Sequence, residues 1–223
     1  NPGWSDAASR FALDSAVFAA RERKPAAGPL LEDLKPLLPA ASLKLAEWKY
    51  LQVDLDGARK ELAAFPDASN QDDAAALAVF LADDGTERGR ESAIELALSH
   101  RARFPDSPRK REIFFKLTDL YFQTGNFLGA RGVLEELAAS ETDPAIVAGA
   151  WFLAGKASSR LATPEAREQA MLAYEEAARA GGETAARARF EQALLLAAEE
   201  RSDEALVVLE RVLESSPPAP LRE

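Results

Sequence analysis

The side chains that could carry chemistry are few in this sequence. The chain has one histidine, His100, and no cysteine among its 223 residues. The missing thiols exclude disulfides, zinc thiolates and thiol nucleophiles, and a single imidazole excludes any mechanism that needs two. A lone histidine could still act as a general base or a metal ligand, but no second histidine or cysteine completes such a site. We therefore expect His100 to be a helix-surface or interface residue.

Acidic residues are abundant, but their spacing argues against hydrolytic catalysis. Pairs such as Asp83–Asp84, Glu135–Glu136 and Glu175–Glu176 are adjacent in the sequence. Neighbouring residues on a helix point about 100° apart, so these carboxylates do not converge on a substrate. The sequence also lacks a phosphate-binding Gly-rich loop, Gly-x-Ser-x-Gly and His-Glu-x-x-His. We predict a non-catalytic chain without a cofactor or a metal ion.

The overall charge narrows the class of partner. The net charge is −10 with a pI near 4.8, and 47% of the residues are hydrophobic. A dedicated nucleic-acid-binding domain usually carries a basic excess, so we expect no nucleic-acid partner. The longest apolar stretches fall far short of the roughly 18 residues that a membrane-spanning helix needs. This balance favours a globular helical interaction module.

One basic cluster stands out on this acidic chain. Its function would be to dock an acidic partner, a phosphate or a lipid headgroup. The alternative is that it forms a solvated loop between helices. The cluster consists of Arg101, Arg103, Arg109, Lys110, Arg111 and Lys116.

The local signals predict helices almost throughout. Ala, Leu, Glu, Arg and Lys fill most windows, and the best strand candidate, Tyr50 to Leu55, is short enough to be interpreted as helix. Three predicted helix starts share one capping pattern, in which the residue with the N-cap oxygen precedes a proline at the first helical position. These are Ser107-Pro108, Asp143-Pro144 and Thr163-Pro164, and turns are indicated at Gly125-Asn126, Gly181-Gly182 and Arg201-Ser202.

The N-terminal part differs from the rest. Apolar residues from Ser5 to about Arg23 follow one helical stripe, and Pro25, Pro29, Pro36 and Pro39 then interrupt the chain. Because the leucines between these prolines are too apolar for a flexible linker, we expect them to pack on their neighbours. We predict a helical N-terminal extension over residues 1–40, followed by a second region over 41–223.

A small residue recurs early in every second predicted helix of that region. These alanines are separated by 35, 37, 40 and 35 residues. A period of this size indicates a solenoid of stacked helix pairs, since two helices of about 12 residues with their turns take up about 34 residues. The recurring residues are Ala58, Ala93, Ala130, Ala170 and Ala205.

The clearest repeat, from Arg111 to Pro144, resembles a tetratricopeptide repeat (TPR). The large, small and turn residues of the TPR pattern match in register at Phe114, Leu117, Tyr121, Gly125 and Ala130. Thr118 and Leu137 replace small residues of the family pattern. The next repeat matches at Trp151, Ala154, Gly155, Ala170, Tyr174 and Ala177.

The resemblance implies an all-α, right-handed solenoid of antiparallel helix pairs. Its best repeats are 74–107, 111–144, 148–182 and 186–217, the last closing at Pro217. Arg103 to Pro108 is similar to links between repeats of bacterial envelope TPR proteins. That similarity implies a periplasmic or other envelope location, with the cytoplasm as the alternative. Because the sequence begins at Asn1, we expect it to be a processed or excised piece.

In TPR proteins the first helices of the repeats line a concave groove where ligands lie. Applying the TPR pattern to this sequence places Phe115, Phe152 and Phe190 at the same position of successive repeats. There the three rings could accept a peptide, while Lys156 and Arg160 bind its carboxylates. Alternatively, these rings pack between adjacent first helices. The predicted partner-binding residues are Phe115, Asp119, Phe122, Gln123, Phe152, Lys156, Arg160, Arg187 and Phe190.

The resulting functional prediction is a protein-interaction scaffold that binds a peptide or partner segment. Three alternatives stay open. The first is an accessory domain that binds a glycan or lipid precursor of a bacterial envelope system. The second is a self-assembling structural segment, because an uncapped solenoid end exposes apolar surface. The third is a hydrolase with an unrecognised carboxylate site.

Overall fold

The computed structural model describes residues 6–22 and 24–214, and this part of the chain contains twelve α-helices and no strand. The helices are α1 (Asp6–Arg21), α2 (Ala27–Leu34), α3 (Pro39–Leu51), α4 (Leu55–Ala64), α5 (Asp72–Ala82), α6 (Glu87–Arg103), α7 (Lys110–Gln123), α8 (Phe127–Ser140), α9 (Pro144–Ser159), α10 (Pro164–Arg179), α11 (Gly182–Ala198) and α12 (Ser202–Glu214). Two compact units divide the chain, Asn1–Ile113 and Phe114–Glu223.

In the first unit, α1 and α2 pack on α3 through a core of small and branched residues. Ala16, Ala27 and Leu31 are fully buried there together with Leu45 of α3. The helices come close because α2 carries Gly28, where an added Cβ would lie only 2.6 Å from the Trp48 ring. The prediction that the proline-interrupted segment packs on its neighbours is confirmed at Leu31 and Leu34, which are both buried, but is wrong at Leu37, which is 44% exposed.

A buried carboxylate ties α4 to the preceding helices. The Glu61 side chain is 7% exposed, and its two oxygens accept hydrogen bonds from Lys35 Nζ at 2.7 Å and Lys49 Nζ at 2.8 Å. Burial alone would raise the pKa of Glu61, but the hydrogen bonds from the two ammonium groups lower it. The hydrogen bond to Glu61 likewise raises the pKa of Lys35. Breaking this cluster would leave a buried charge without a partner.

The second unit consists of helix pairs whose facing sides carry small residues. Ala130, Ala154, Ala170 and Ala188 are fully buried. Gly155 allows the closest approach, because an added Cβ would lie 2.5 Å from the Tyr174 ring of α10. Tyr174 is itself fully buried, and this burial raises its pKa to about 12.

Several predicted helix boundaries are confirmed. Asp143 and Thr163 cap α9 and α10 by accepting hydrogen bonds from Ala145 N and Ala166 N, each with proline in the first turn. Gly125 has φ +72°, and Asn126 caps α8 by accepting from Gly129 N. These contacts satisfy backbone donors that a helix start leaves open.

Two local predictions are wrong. Tyr50 to Leu55 is not continuous helix, because α3 ends at Leu51 and Val53 adopts a left-handed φ of +65° before Asp54 caps α4. Ser107 does not directly start a helix either, since α7 begins at Lys110. The Ser107 hydroxyl accepts from Arg109 N within the preceding turn and donates to Asp72 of α5.

The predicted division at residue 40 stays a prediction, and Pro217, predicted to close the last repeat, lies outside the described residues. Across the part of the chain that the structure describes, no helix combines the length and apolar character needed to cross a membrane.

Candidate interaction site

Residues of two first helices, α9 and α11, form the predicted site of the second unit. Phe152 and Lys156 lie one turn apart on α9, and Arg187 and Phe190 lie nearly one turn apart on α11. Residues three or four positions apart share a helix face, which is why each pair can act together. Ala154 and Ala157 of α9 and Ala185 and Ala188 of α11 are buried, so the other faces of both helices pack inside the unit.

Phe152 is the base of this site. Its ring is 6% exposed and lies 5.9 Å from the Tyr174 ring between centroids. The Arg187 guanidinium carbon lies 4.9 Å from the Phe152 ring centroid, and Lys156 Nζ lies 5.8 Å from it. Two cations thus contact one aromatic ring, an arrangement that holds their charged groups in place. The Phe152 ring packs against Tyr174 of α10, while the cations remain at the surface.

The neighbouring surface of α11 is apolar. Phe190 and Leu194 are each 50% exposed, and they lie four residues apart on the same side of the helix. Between them in sequence, Glu191 lies 3.6 Å from Lys156 Nζ. Glu191 was not among the predicted site residues, because nothing in the sequence pairs it with α9. This face of α11 therefore offers the apolar surface of Phe190 and Leu194. Beside it lie two cations: Lys156, which is paired with Glu191, and Arg187, which is exposed.

The predicted residues on α7 have mostly local contacts. Gln123 Nε2 donates to Asp119 Oδ2 at 2.7 Å, and both side chains are exposed. The half-buried Phe122 ring packs edge-on against Phe127 of α8, 5.8 Å between centroids. Phe115 is also half-buried.

Arg160 is the C-cap residue of α9, one turn beyond Lys156, and it is exposed. Among the predicted residues, the structure therefore joins Phe152, Lys156 and Arg187 directly and places Phe190 beside them.

His100 is buried between α6 and α5, so of the two expected positions, helix surface or interface, the structure shows the interface. It is 2% exposed, and its Nε2 lies 2.7 Å from Asp72 Oδ1, which also accepts from Ser107 Oγ at 2.7 Å. Because the serine bonds to the aspartate, its hydroxyl is not aligned with the imidazole as a nucleophile would have to be. This network fixes α5, α6 and the turn after α6 to one another. In residues 6–22 and 24–214, no group of three or more metal-ligating side chains could hold a metal ion.

Part of the predicted basic cluster is neutralised inside the first unit. Arg109 donates to Asp73 at 2.9 Å, to Glu47 at 2.8 Å and to Glu112 at 3.1 Å. Arg103 donates to Asn70 Oδ1 at 2.6 Å. Arg109 therefore bridges α3, α5 and α7 instead of offering its charge to a partner.

The first unit also contains an apolar cleft of about 450 Å³ between α4, α5 and α6. Alanines of α5 form its floor, including Ala74, Ala75 and Ala78. Arg59 and Arg103 line opposite ends, since Arg59 bonds to the Leu81 carbonyl at the end of α5 and Arg103 bonds to Asn70 before its start. No local sequence pattern indicates this cleft, because its lining comes from helices that are separate in the sequence.

Comparison with solved structures shows similarity in fold. The crystal structure of MamA superimposes with a TM-score of 0.60 at 19% identity, covering 77% of this chain and 94% of MamA. PilF of Pseudomonas aeruginosa gives a TM-score of 0.63 at 18% identity, covering 93% and 95%. Cut9 in the APC/C hetero-tetramer Cut9-Hcn1 gives 0.55 at 15% identity, covering 94% of this chain and 40% of that one.

No protein-family model matches the sequence, and no curated protein matches it. MamA, PilF and Cut9 are TPR-type proteins, so the chain has an all-α fold of TPR-like helix pairs. The resemblance seen in the repeat residues is thereby confirmed at the level of the fold.

Proposed function

We propose that this chain is a non-catalytic protein-interaction scaffold, and that α9 and α11 bind an extended segment of a partner protein. The observation that carries the proposal is the juxtaposition of exposed Phe190 and Leu194 with the cations held over Phe152. Apolar side chains of the segment would cover Phe190 and Leu194, and an acidic side chain would contact Arg187.

The energetics favour such a ligand. Fully burying a Leu or Phe side chain contributes about 1.5 to 3 kcal/mol. Covering two half-exposed residues would therefore supply part of the binding free energy of a complex with a micromolar Kd. Arg187 is already held over the Phe152 ring, so less side-chain freedom is lost when it binds a carboxylate.

The fold neighbours support a scaffold in general terms. One of them is a subunit of a hetero-tetramer, Cut9-Hcn1, and another is the quorum sensor NprR from B. thuringiensis, with a TM-score of 0.57 at 14% identity and coverage of 93% of this chain and 64% of that one. TPR-like helix pairs expose continuous helix faces, which suits recognition of a partner segment. The location in the bacterial envelope stays a prediction from the link Arg103 to Pro108.

Selection from a random peptide library tests the proposed face. Peptides enriched on the wild-type chain should combine an apolar residue with an acidic one, and Phe190→Ala should weaken their binding at least about tenfold. Leu172→Ala is the matched control, because Leu172 is 55% exposed on the second helix α10 of the same unit. Equal loss in both variants, or undiminished binding to Phe190→Ala, would contradict the proposal.

The apolar cleft of the first unit favours a second candidate, binding of an acyl chain that ends in an anionic group. Its alanine floor suits a hydrocarbon chain, and Arg59 or Arg103 would contact the anion. Displacement of a fluorescent fatty acid by dodecanoate would test it. Leu96→Glu, which places a carboxylate in the lining, should abolish binding, whereas Leu98→Glu on the same helix outside the lining should not. Binding that survives Leu96→Glu would exclude this candidate.

A further inference from the structure

Three arginines from three successive helices of the second unit line one pocket. Arg179 is the last residue of α10, Arg189 lies in the middle of α11, and Arg211 lies in the last turn of α12. The pocket has a volume of about 330 Å³ and is open to solvent on the side away from its floor. Three guanidinium groups around one small concavity are unexpected on a chain with a net charge of −10.

The pocket has a defined floor and walls. Gln192, three residues after Arg189 on the same face of α11, donates from Nε2 to the Met171 carbonyl of α10 at 3.2 Å. Met171 and Val208 also pack against the buried Ala193 and Leu196 between these helices. The helices that carry the arginines are therefore fixed to one another by packing.

The positive charge of the three arginines is not balanced by acidic side chains in the pocket lining. Arg179 donates to Glu176 at 2.6 Å, and Glu175 is the one carboxylate in the lining. Arg189 and Arg211 have no acidic partner among the side chains that the structure describes. By contrast, Arg109 and Arg201 each bond to two or more carboxylates. Two guanidinium groups are thus available to an anion from outside.

We propose that this pocket binds a phosphate monoester or free phosphate, recognised as a compact dianion. A phosphate group carries about −1.5 to −2 charges at pH 7, and its oxygens match the planar fork of a guanidinium group. Arg189 of α11 and Arg211 of α12 donate to the phosphate oxygens, and Arg179 adds positive charge. The site lies on α10, α11 and α12 and is independent of the peptide face on α9 and α11.

The binding test uses two phosphate sources and an uncharged counterpart. Acetyl-Gly-phosphoserine-Gly-amide and inorganic phosphate are titrated into the ¹⁵N-labelled chain, with the unphosphorylated peptide as control. The arginine Nε–Hε signals of Arg189 and Arg211 should shift saturably with a phosphate source and not with the control. Tighter binding of the phosphopeptide would identify a phosphorylated partner as the source, and tighter binding of inorganic phosphate would identify a free phosphate compound.

Single-residue variants distinguish phosphate binding in this pocket from non-specific attraction to the positive charges of the chain. Arg189→Ala and Arg211→Ala should each weaken binding about tenfold, and Arg189→Lys should give an intermediate loss, because a lysine retains charge without the fork. Glu175→Gln should strengthen binding by removing a repulsive charge. Arg167→Ala, which removes an exposed arginine of α10 outside the lining, is the control. The proposal is overturned if no signal shifts, or if Arg189→Ala and Arg167→Ala change the affinity equally.

Discussion

Gly155 of α9 lies directly under the Tyr174 ring of α10, so closely that a Cβ at position 155 would be 2.5 Å from ring atom Cε1. Tyr174 is fully buried, and its neighbour Phe152 carries the cations of the proposed peptide face. Because Gly155 has no side chain, the Tyr174 ring can pack closely on α9. Tyr174 in turn contacts Phe152, so the glycine helps to position the proposed peptide face.

Gly155→Ala should destabilise the chain by about 1 to 3 kcal/mol, because the tyrosine ring must shift and the surrounding core is fully packed. Urea unfolding measures the loss. Gly149→Ala is the control on the same helix, where an added Cβ meets nothing within 4 Å. There we expect a gain of up to about 1 kcal/mol from helix propensity. A neutral Gly155→Ala would show that the ring position is adaptable.

Glu61→Gln should lower the free energy of unfolding by about 1 to 3 kcal/mol, since the two lysines lose their nearer, buried carboxylate partner and keep only the more exposed Glu32. Glu95→Gln, an exposed change in α6, should stay within about 0.5 kcal/mol.

The effect of Glu61 depends on pH in a defined way. Its pKa is lowered in the folded chain, so its stabilisation is present above the ordinary value of 4.5 and is lost as the pH falls through the folded pKa. The pKa values of Lys35 and Lys49 are raised above 10.5, so their contribution is present below 10.5 and is lost as the pH rises through the folded values. The difference between wild type and Glu61→Gln should be constant between these limits and shrink outside them. A difference that continued unchanged to pH 3 would contradict this.

Asp72→Ala should destabilise the first unit by about 1 to 3 kcal/mol, because His100 and the Ser107 hydroxyl lose their shared acceptor. Asp106→Ala, in the exposed turn nearby, is the matched control. A double-mutant cycle of Asp72→Ala with Ser107→Ala should give a coupling energy above about 0.5 kcal/mol. Strict additivity would show that the two side chains stabilise the chain separately.

Tyr174 should titrate near pH 12, since burial disfavours its phenolate. The raised pKa means that its contribution to stability is complete below pH 10 and is lost as the pH rises towards 12. Ultraviolet difference titration of the wild type against Tyr174→Phe isolates this transition. A transition at pH 10 in the folded chain would show that the hydroxyl reaches solvent.

The repeat signal could be seen in the sequence because it depends on residue size. The alanines at 130 and 170 and Gly155 are small where helices approach closely, and in the recurring alanines this requirement returns every 35 to 40 residues. Turns at Gly125-Asn126 and Gly181-Gly182 were predictable for a similar reason, since Gly125, Gly181 and Gly182 all have positive φ.

Features that depend on tertiary contacts were not predictable. Val53 adopts a left-handed conformation although valine disfavours it, which is why the turn before α4 was taken for helix. The contact between His100 and Asp72 could not be predicted, because the two residues are 28 positions apart in the sequence. Arg179, Arg189 and Arg211 come from three helices, so no local pattern joins them.

The close approach of the Trp48 ring to Gly28 has a spectroscopic use. Trp48 lies in the first unit, where α2 meets α3, and Trp151 packs against the core of the second. Each unit thus contains an indole whose fluorescence responds to loss of its own packing. Replacing one indole at a time with phenylalanine, in a chain whose Trp4 is also replaced, would make the two halves of the molecule separately visible during unfolding.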